Sequence, residues 1–157
     1  MRNRLPKFIL ICSLFLLALN CKMKAIKQVN FEDVSRIEMR LSAYGVESDG
    51  FPSINAKMDL KNDTSYCEVS YYDPKFSGVI YKLSKADLDS VRYLVTHTDL
   101  RSLKKEYRGS APDQPASTTI FYIGDDSIKV LDYDRTERVL LLDELYRLVY
   151  KLDIYAR

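Results

Sequence analysis

The sequence has little of the chemistry that most enzyme signatures require. It holds three cysteines and one histidine among 157 residues. A Ser-His-Asp or Cys-His system would have to use His97, and no nucleophile motif lies near that residue. No histidines and cysteines stand at the spacing of a zinc site, and no glycine-rich phosphate loop occurs. We therefore expect no cofactor, and we favour a non-catalytic domain over an enzyme.

The start of the chain has the pattern of a secretion signal. Three basic residues open it, namely Arg2, Arg4 and Lys7. The apolar run over 8–19 has about 12 residues, fewer than the roughly 20 that span a bilayer. Cys21 follows directly, which resembles a bacterial lipoprotein signal, in which this thiol takes the lipid and palmitate is an expected acyl chain. Ordinary secretion after Asn20 and an uncleaved anchor are the rival interpretations.

Cleavage changes the charge and the cysteine count. The whole chain has 24 basic and 22 acidic residues, whereas the chain without residues 1–20 has 21 and 22, a net charge of −1. This balance gives no reason to expect a nucleic-acid partner. Residues 21–33 are predicted to be a lipidated tether, and its lysines are either solvated or placed against anionic headgroups. Cys67 is then the only free thiol, so no intramolecular disulfide can form.

Residues 34–157 are predicted to form a single α+β domain, because they suffice for one core and not for two. Apolar and polar residues alternate over 35–43, 54–60 and 79–83, and the segments over 65–72, 117–123 and 128–133 lie beside turn residues; both patterns predict strands. Helical spacing follows Ser84 and Thr136, each a predicted N-cap. We expect an antiparallel sheet of about six strands, in the order β-β-β-β-α-β-β-α, with both helices on one face. The last helix is predicted to pack on strands that carry Ile120, Tyr122, Ile128 and Val130.

Tyrosines offer the clearest candidate for a binding surface. Tyr66 and Tyr72 stand at alternate positions of one predicted strand, six residues apart, so both could face outward together and present rings to a sugar or a peptide. The alternative is that a sheet favours tyrosine and buries its ring. Cys67, in the same strand, is predicted to be a small buried apolar residue. His97 is predicted to be solvated or to favour the C-terminal end of a helix dipole.

Four aspartates flank the last predicted hairpin. They are Asp125, Asp126, Asp132 and Asp134. Carboxylates at this density could bind calcium, but their spacing fits no calcium loop, and aspartate is common in turns for backbone reasons. We expect no metal and leave the question of a cation at these four residues open.

Part of the chain resembles a family of uncharacterised bacterial lipoprotein domains. That family has a Cys-Phe-Gly-x-Cys-Pro-x-Tyr loop between its first two strands. Residues 43–45 and 51–54 stand at the corresponding places, and Tyr107 and residues 113–115 match a later segment. The resemblance covers about 34–152 and implies a hairpin-and-helix fold in the cell envelope. Both family cysteines are absent here, so no role of that thiol pair is carried over, and the family implies no activity.

These observations lead to one expected function. We expect a lipid-anchored domain of the bacterial cell envelope, at the outer membrane or facing the periplasm, that binds a partner without catalysis. An envelope protein or a glycan is the expected partner. An envelope enzyme that uses aspartate and tyrosine side chains, or a structural component of an envelope complex, is the alternative.

Overall fold

The structure is a computed structural model and describes residues 34–42, 50–108, 115–133 and 139–151. Its elements are β1 (Val34–Ser42), β2 (Ser53–Asp59), β3 (Thr64–Ser70), β4 (Val79–Tyr81), α1 (Lys85–Thr96), a 3₁₀ turn (Leu100–Ser102), β5 (Glu106–Tyr107), β6 (Ala116–Ile123), β7 (Asp126–Tyr133) and α2 (Leu140–Val149). Strands and helices together give the α+β class that the sequence predicted. No helix in these ranges is long and apolar enough to cross a membrane.

The sheet has one strand more than predicted, and it is mixed. Its seven strands lie in the order β4-β3-β2-β1-β6-β7-β5. Neighbouring strands run antiparallel except β5, which pairs parallel to β7. The prediction of about six antiparallel strands missed β5, because two residues are too few to show an alternating pattern.

The two faces of the sheet differ in burial. Ile37 on β1 lies between Met58 of β2 and Phe121 of β6, and all three are fully buried. We call this the inner face, and both helices bury apolar side chains in the core that it forms. The neighbouring residues Arg36 and Glu38 point to the other side, which we call the open face, because successive strand residues face opposite ways.

One predicted packing assignment is wrong. Ile120 and Tyr122 were expected under the last helix, but they lie across from Glu38 and Arg36 on the open face. Phe121 takes the inner position instead and is fully buried. Residues 120–123 are apolar or aromatic at every position, so alternation alone does not determine which parity faces inward.

The first helix begins as predicted. The Ser84 hydroxyl accepts a hydrogen bond from the Asp87 backbone N–H at 3.1 Å, and the Asp87 carboxylate accepts one from the Ser84 N–H at 3.2 Å. This capping box satisfies two N–H groups that the helix leaves open. His97 is the C-cap and is exposed, which confirms its predicted position.

The second helix begins later than predicted. Val139 is its N-cap and makes no side-chain capping bond, so Thr136 is not the cap; Thr136 itself lies outside the described residues. The predicted apolar stripe is buried where it is described, at Leu141, Leu142, Leu145, Leu148 and Val149. The helix is also joined to the sheet, because the Tyr81 hydroxyl donates a hydrogen bond to the Val149 carbonyl.

Candidate functional site

Exposed apolar side chains concentrate at one edge of the sheet. In the part of the chain that the structure describes, seven large hydrophobic side chains are exposed. Five of them lie on β3, on β4 or in the loop between these strands: Tyr66 (43%), Tyr72 (93%), Phe76 (43%), Val79 (42%) and Ile80 (64%). We call these five residues the edge patch. Apolar surface gathered in this way is typical of a site of interaction.

The edge patch surrounds a strand with one unpaired side. Among the described residues, β4 is the last strand in the sheet order and pairs with β3 alone. Ile80 lies opposite Glu68 on the open face, and Val79 lies opposite Val69. An edge strand leaves backbone N–H and C=O groups without partners in the sheet, so β4 presents backbone hydrogen-bonding groups beside apolar side chains.

The loop before β4 is tightly folded. The Asp73 carboxylate accepts a hydrogen bond from the Lys75 backbone N–H at 2.9 Å and pairs with the Lys75 ammonium at 2.9 Å. These contacts hold the pKa of Asp73 below its usual range, and the backbone hydrogen bond has the largest effect. The Tyr71 and Phe76 rings pack with centroids 5.3 Å apart. Local bonding therefore fixes the loop that presents Tyr72 and Phe76.

Gly78 lets this loop join the strand. A Cβ at this position would lie 2.8 Å from the carbonyl oxygen of Val69, closer than real Cβ contacts allow. The chain approaches β3 this closely just before β4 begins, and a glycine is needed for that approach.

A row of polar residues runs beside the patch on the open face. Tyr66 is paired with Lys57 of β2. On the other side of β3, Cys67 is paired with Tyr81, and the Leu83 N–H donates a hydrogen bond to the Ser65 hydroxyl at 2.7 Å. Lys82 comes between Tyr81 and Leu83 in the chain, and Tyr66 comes between Ser65 and Cys67. Lys82 therefore lies beside Tyr66.

The two lysines of this row are exposed cations. Lys57 and Lys82 are both exposed, and neither forms an ion pair with another described residue. Tyr66 thus lies between two lysine positions of the open face, and neither lysine has a carboxylate partner within the described ranges. The row Lys57–Tyr66–Lys82 can contact an aromatic, apolar or anionic group.

The predicted pair of tyrosines is exposed but widely spaced. Tyr66 lies within β3, and Tyr72 lies beyond the end of that strand. Six residues of extended chain span roughly 20 Å, so the two rings belong to different parts of the edge patch. Sequence reasoning missed Phe76, Val79 and Ile80. The alternation over 79–83 predicts a strand, but it does not show that this strand lies at an edge of the sheet.

Cys67 is buried beneath this edge, as predicted. Its side chain is fully buried on the inner face of β3. Burial raises the pKa of the thiol to about 11, although a hydrogen bond with Tyr81 and the charge of Lys151 act in the opposite direction. The thiol is therefore protonated at neutral pH and packs as an apolar group.

A second cluster brings an acid and tyrosines together inside the core. The Tyr146 hydroxyl donates to the Asp132 carboxylate at 2.9 Å, and the Ser117 and Tyr150 hydroxyls are 2.7 Å apart. The rings of Tyr146 and Tyr150 stack with centroids 5.3 Å apart. All four residues are buried, and burial raises the pKa of Tyr146 well above its ordinary value. The cluster joins β6 and β7 to α2.

The aspartates considered for calcium do not converge where they are described. Asp126 begins β7 and is exposed, whereas Asp132 is buried near the other end of the same strand. Asp125 is exposed in the turn, and Asp134 lies outside the described residues. Over the described ranges, no three His, Cys, Asp or Glu side chains are grouped to hold a metal ion.

A shallow groove of about 380 Å³ separates the two helices. It is lined by Asp89, Tyr93, Glu144 and Arg147, among others. Arg147 is paired with Glu144 at 2.7 Å, and the Tyr93 ring stacks on His97 with centroids 4.0 Å apart. Two of the charged groups that line this groove, Glu144 and Arg147, are therefore paired with each other.

Comparison with family models, with curated proteins and with solved structures finds no match to this chain.

Proposed function

We propose that this protein is a lipid-anchored domain of the bacterial cell envelope that binds another protein through the edge patch and carries out no catalysis. The observation that carries the proposal is the concentration of five exposed large hydrophobic side chains at the β4 edge. Such side chains lower the free energy of a complex when a partner removes them from water.

The lipid anchor rests on the sequence, because residues 1–33 lie outside the described residues. The short apolar run that ends at Cys21 supports it, as does the resemblance to lipoprotein domains. The direction of the chain is compatible with an anchored binding domain. Val34 begins β1 beside Ile123, whereas β3 runs away from that end and delivers Tyr72 to the opposite end of the sheet. A tether that joins at Val34 leaves the loop of the edge patch on the far side.

An enzyme that uses aspartate and tyrosine remains the alternative, and one observation favours it. Asp132 and Tyr146 are hydrogen-bonded at 2.9 Å. However, their exposed fractions are 5% and 2%, so a substrate would have to displace core packing to reach them. The exposed edge patch requires no such rearrangement, and for that reason we prefer the binding function.

The anchor is tested by Cys21→Ala. We expect this variant to leave the membrane fraction, and we expect the signal to remain uncleaved or misprocessed. The control is Cys67→Ala, which keeps the lipidation site and should stay with the membrane. Unchanged membrane retention of Cys21→Ala, with no lipid label on the wild-type protein, would contradict the anchor.

The binding surface is tested by a photo-crosslinking amino acid placed at single positions of the full chain in living cells. We expect Ile80 and Phe76 to give the same discrete crosslinked protein. Lys105, beside the opposite sheet edge, is the matched control and should give none. Equal crosslinking from all three positions, or none from Ile80 and Phe76, would show that the edge patch is not the binding surface.

A further inference from the structure

We infer that the partner supplies an extended segment that pairs with β4 as an antiparallel strand and carries an acidic residue two positions before an apolar one. The inference rests on the proposed function and specifies the chemistry of the partner. It follows from the place of β4 at the edge of the described sheet, from the position of Ile80, and from the position of Lys82.

The backbone of β4 favours an extended segment over a helix or a flat surface. In the described sheet β4 has a neighbouring strand on one side, and a strand added on the other side can bond to the outward backbone groups around Ile80. We assign the antiparallel direction because β4 already pairs antiparallel to β3 and because antiparallel pairs outnumber parallel ones. The loop before β4 is fixed by the Asp73 contacts, so the edge does not have to be ordered on binding.

The side chains of the open face determine the pattern of the added segment. Ile80 and Lys82 both point to the open face, since Leu83 and Tyr81 are turned toward the core. Residues directly opposite on neighbouring strands have Cβ atoms about 4.5–5.5 Å apart. An apolar residue opposite Ile80 covers a side chain that is 64% exposed. An acidic residue opposite Lys82 neutralises a cation that has no ion pair within the described ranges.

The order of these two residues follows from the direction of pairing. In an antiparallel pair, the residue opposite Lys82 comes two positions before the residue opposite Ile80. The segment therefore reads acidic, any residue, apolar from its N-terminal to its C-terminal side. Lys57 lies in the same row as Lys82, on the far side of Tyr66, and increases the positive potential at the acidic position.

A second copy of this chain does not provide the acidic residue. Antiparallel self-pairing centred on Val79, Ile80 or Tyr81 would place Phe76, Gly78 or Ile80, respectively, opposite Lys82. None of these residues is acidic, so self-pairing leaves the lysine of each copy uncompensated. The three-residue strand is also short for a dimer interface, since stable interfaces bury about 1,200 Å² or more.

The inference is tested by selecting displayed random dodecapeptides against the full chain in detergent micelles. We expect the enriched peptides to share the pattern acidic, any residue, apolar. A synthetic peptide of the enriched sequence is then titrated, together with a version in which glutamine replaces the acidic residue. We expect the acidic peptide to bind the wild-type protein about 2–5-fold more tightly at low salt.

Variants locate the binding and its charge component. Lys82→Gln should remove the difference between the two peptides, whereas Lys129→Gln, on the open face away from this edge, should keep it. Ile80→Asp should weaken the binding of both peptides at least about tenfold. Ile80→Thr, a milder change at an exposed position, is the check on folding.

Each other outcome overturns the inference. Enrichment without the acidic pattern, or a charge preference that Lys82→Gln leaves intact, contradicts it. Ile80-dependent dimers in sedimentation, or saturable binding of an acidic oligosaccharide that displaces the peptide, would identify a different occupant. If Ile80 still gives specific crosslinks while no pattern emerges, the binding function stands and only the strand-addition mode fails. If the crosslinks are absent as well, both fail.

Discussion

The two edges of the sheet are built in opposite ways. At the β5 edge, Tyr107 is 5% exposed and turns into the core, while Lys105 and Arg108 surround it with charge. Arg108 also pairs with Glu106 and lies 5.3 Å from the centre of the Tyr133 ring. At the β4 edge, the side chains of the strand are apolar and Ile80 is 64% exposed, and the exposed Lys82 comes directly after the strand.

Charged side chains and short strands are the usual means by which proteins prevent unwanted pairing at a sheet edge. Both edge strands are short, but β5 itself carries a charged residue, Glu106, that is paired with Arg108, whereas the charge at the other edge is Lys82, beyond the end of β4. An apolar edge strand carries a greater risk of self-association than a charged one, so the contrast between β4 and β5 favours a use of β4 in binding. We therefore interpret the β5 edge as serving stability and propose that the β4 edge is available for a partner.

The largest expected effect is a loss of stability at the β5 edge. Tyr107→Ala removes a buried ring whose hydroxyl accepts a hydrogen bond from the Lys104 N–H at 3.0 Å. We expect a loss of about 3–5 kcal/mol in the free energy of unfolding. Val79→Ala at the β4 edge is the matched control and should cost less than about 1 kcal/mol, since its side chain is 42% exposed. Denaturant unfolding measures both, and equal losses would abolish the distinction between the edges.

The next effect concerns the strand immediately inside the β4 edge. Burial raises the pKa of Cys67 from an ordinary value of 9.0 to about 11. The folded protein therefore retains a proton that the unfolded chain releases, and stability falls as the pH rises from 9 toward 11. We expect the wild type to lose about 2 kcal/mol more than Cys67→Ala does between pH 8 and pH 11. Parallel pH curves of the two proteins would show that the thiol is hydrated in the folded state.

The sequence predicted the parts of the fold that have a repeating pattern on one face. Ile37, Met39 and Leu41 alternate with charged or polar residues, so the strand and its inward parity were both predictable. In β6 the outward positions Ile120 and Tyr122 are as apolar as the inward ones, and only pairing with Ile37 places Phe121 inside. β5 was missed because its two residues pair through the backbone of β7, far along the chain.

The candidate site was only partly predictable for a similar reason. Tyr66 is an outward residue of an alternating strand, so its exposure could be inferred. Val79, Tyr81 and Leu83 alternate in the same way, which predicts a strand but not its place in the sheet. Tyr81 and Leu83 do turn inward, but Val79 is exposed because no strand lies beyond β4 in the described sheet. Position in the strand order, which alternation does not encode, decides this.

Removing the protection of the β5 edge should make it behave like β4. The double substitution Lys105→Val and Glu106→Val replaces charged side chains there by apolar ones and also breaks the ion pair of Glu106 with Arg108. We expect self-association at lower concentration than the wild type in sedimentation, with a change in stability within about 1 kcal/mol. Lys57→Val, in the middle of the open face, is the control. If both variants associate equally, added apolar surface explains the effect and the edge does not.

The smallest expected change in stability gives the sharpest test of the β4 edge. Ile80→Thr keeps a β-branched side chain, so the strand propensity of β4 is retained. The side chain is 64% exposed, and its loss of apolar contact should alter the free energy of unfolding by less than about 0.5 kcal/mol. Thermal and denaturant unfolding measure that quantity, and crosslinking from Phe76 in the same variant measures partner binding. We expect the crosslink to fall at least about threefold while stability is unchanged, because Ile80 contributes to the complex and not to the core. A loss of stability that matches the loss of crosslinking would mean that Ile80 holds β4 in place and that the exposed edge is a consequence of the short strand.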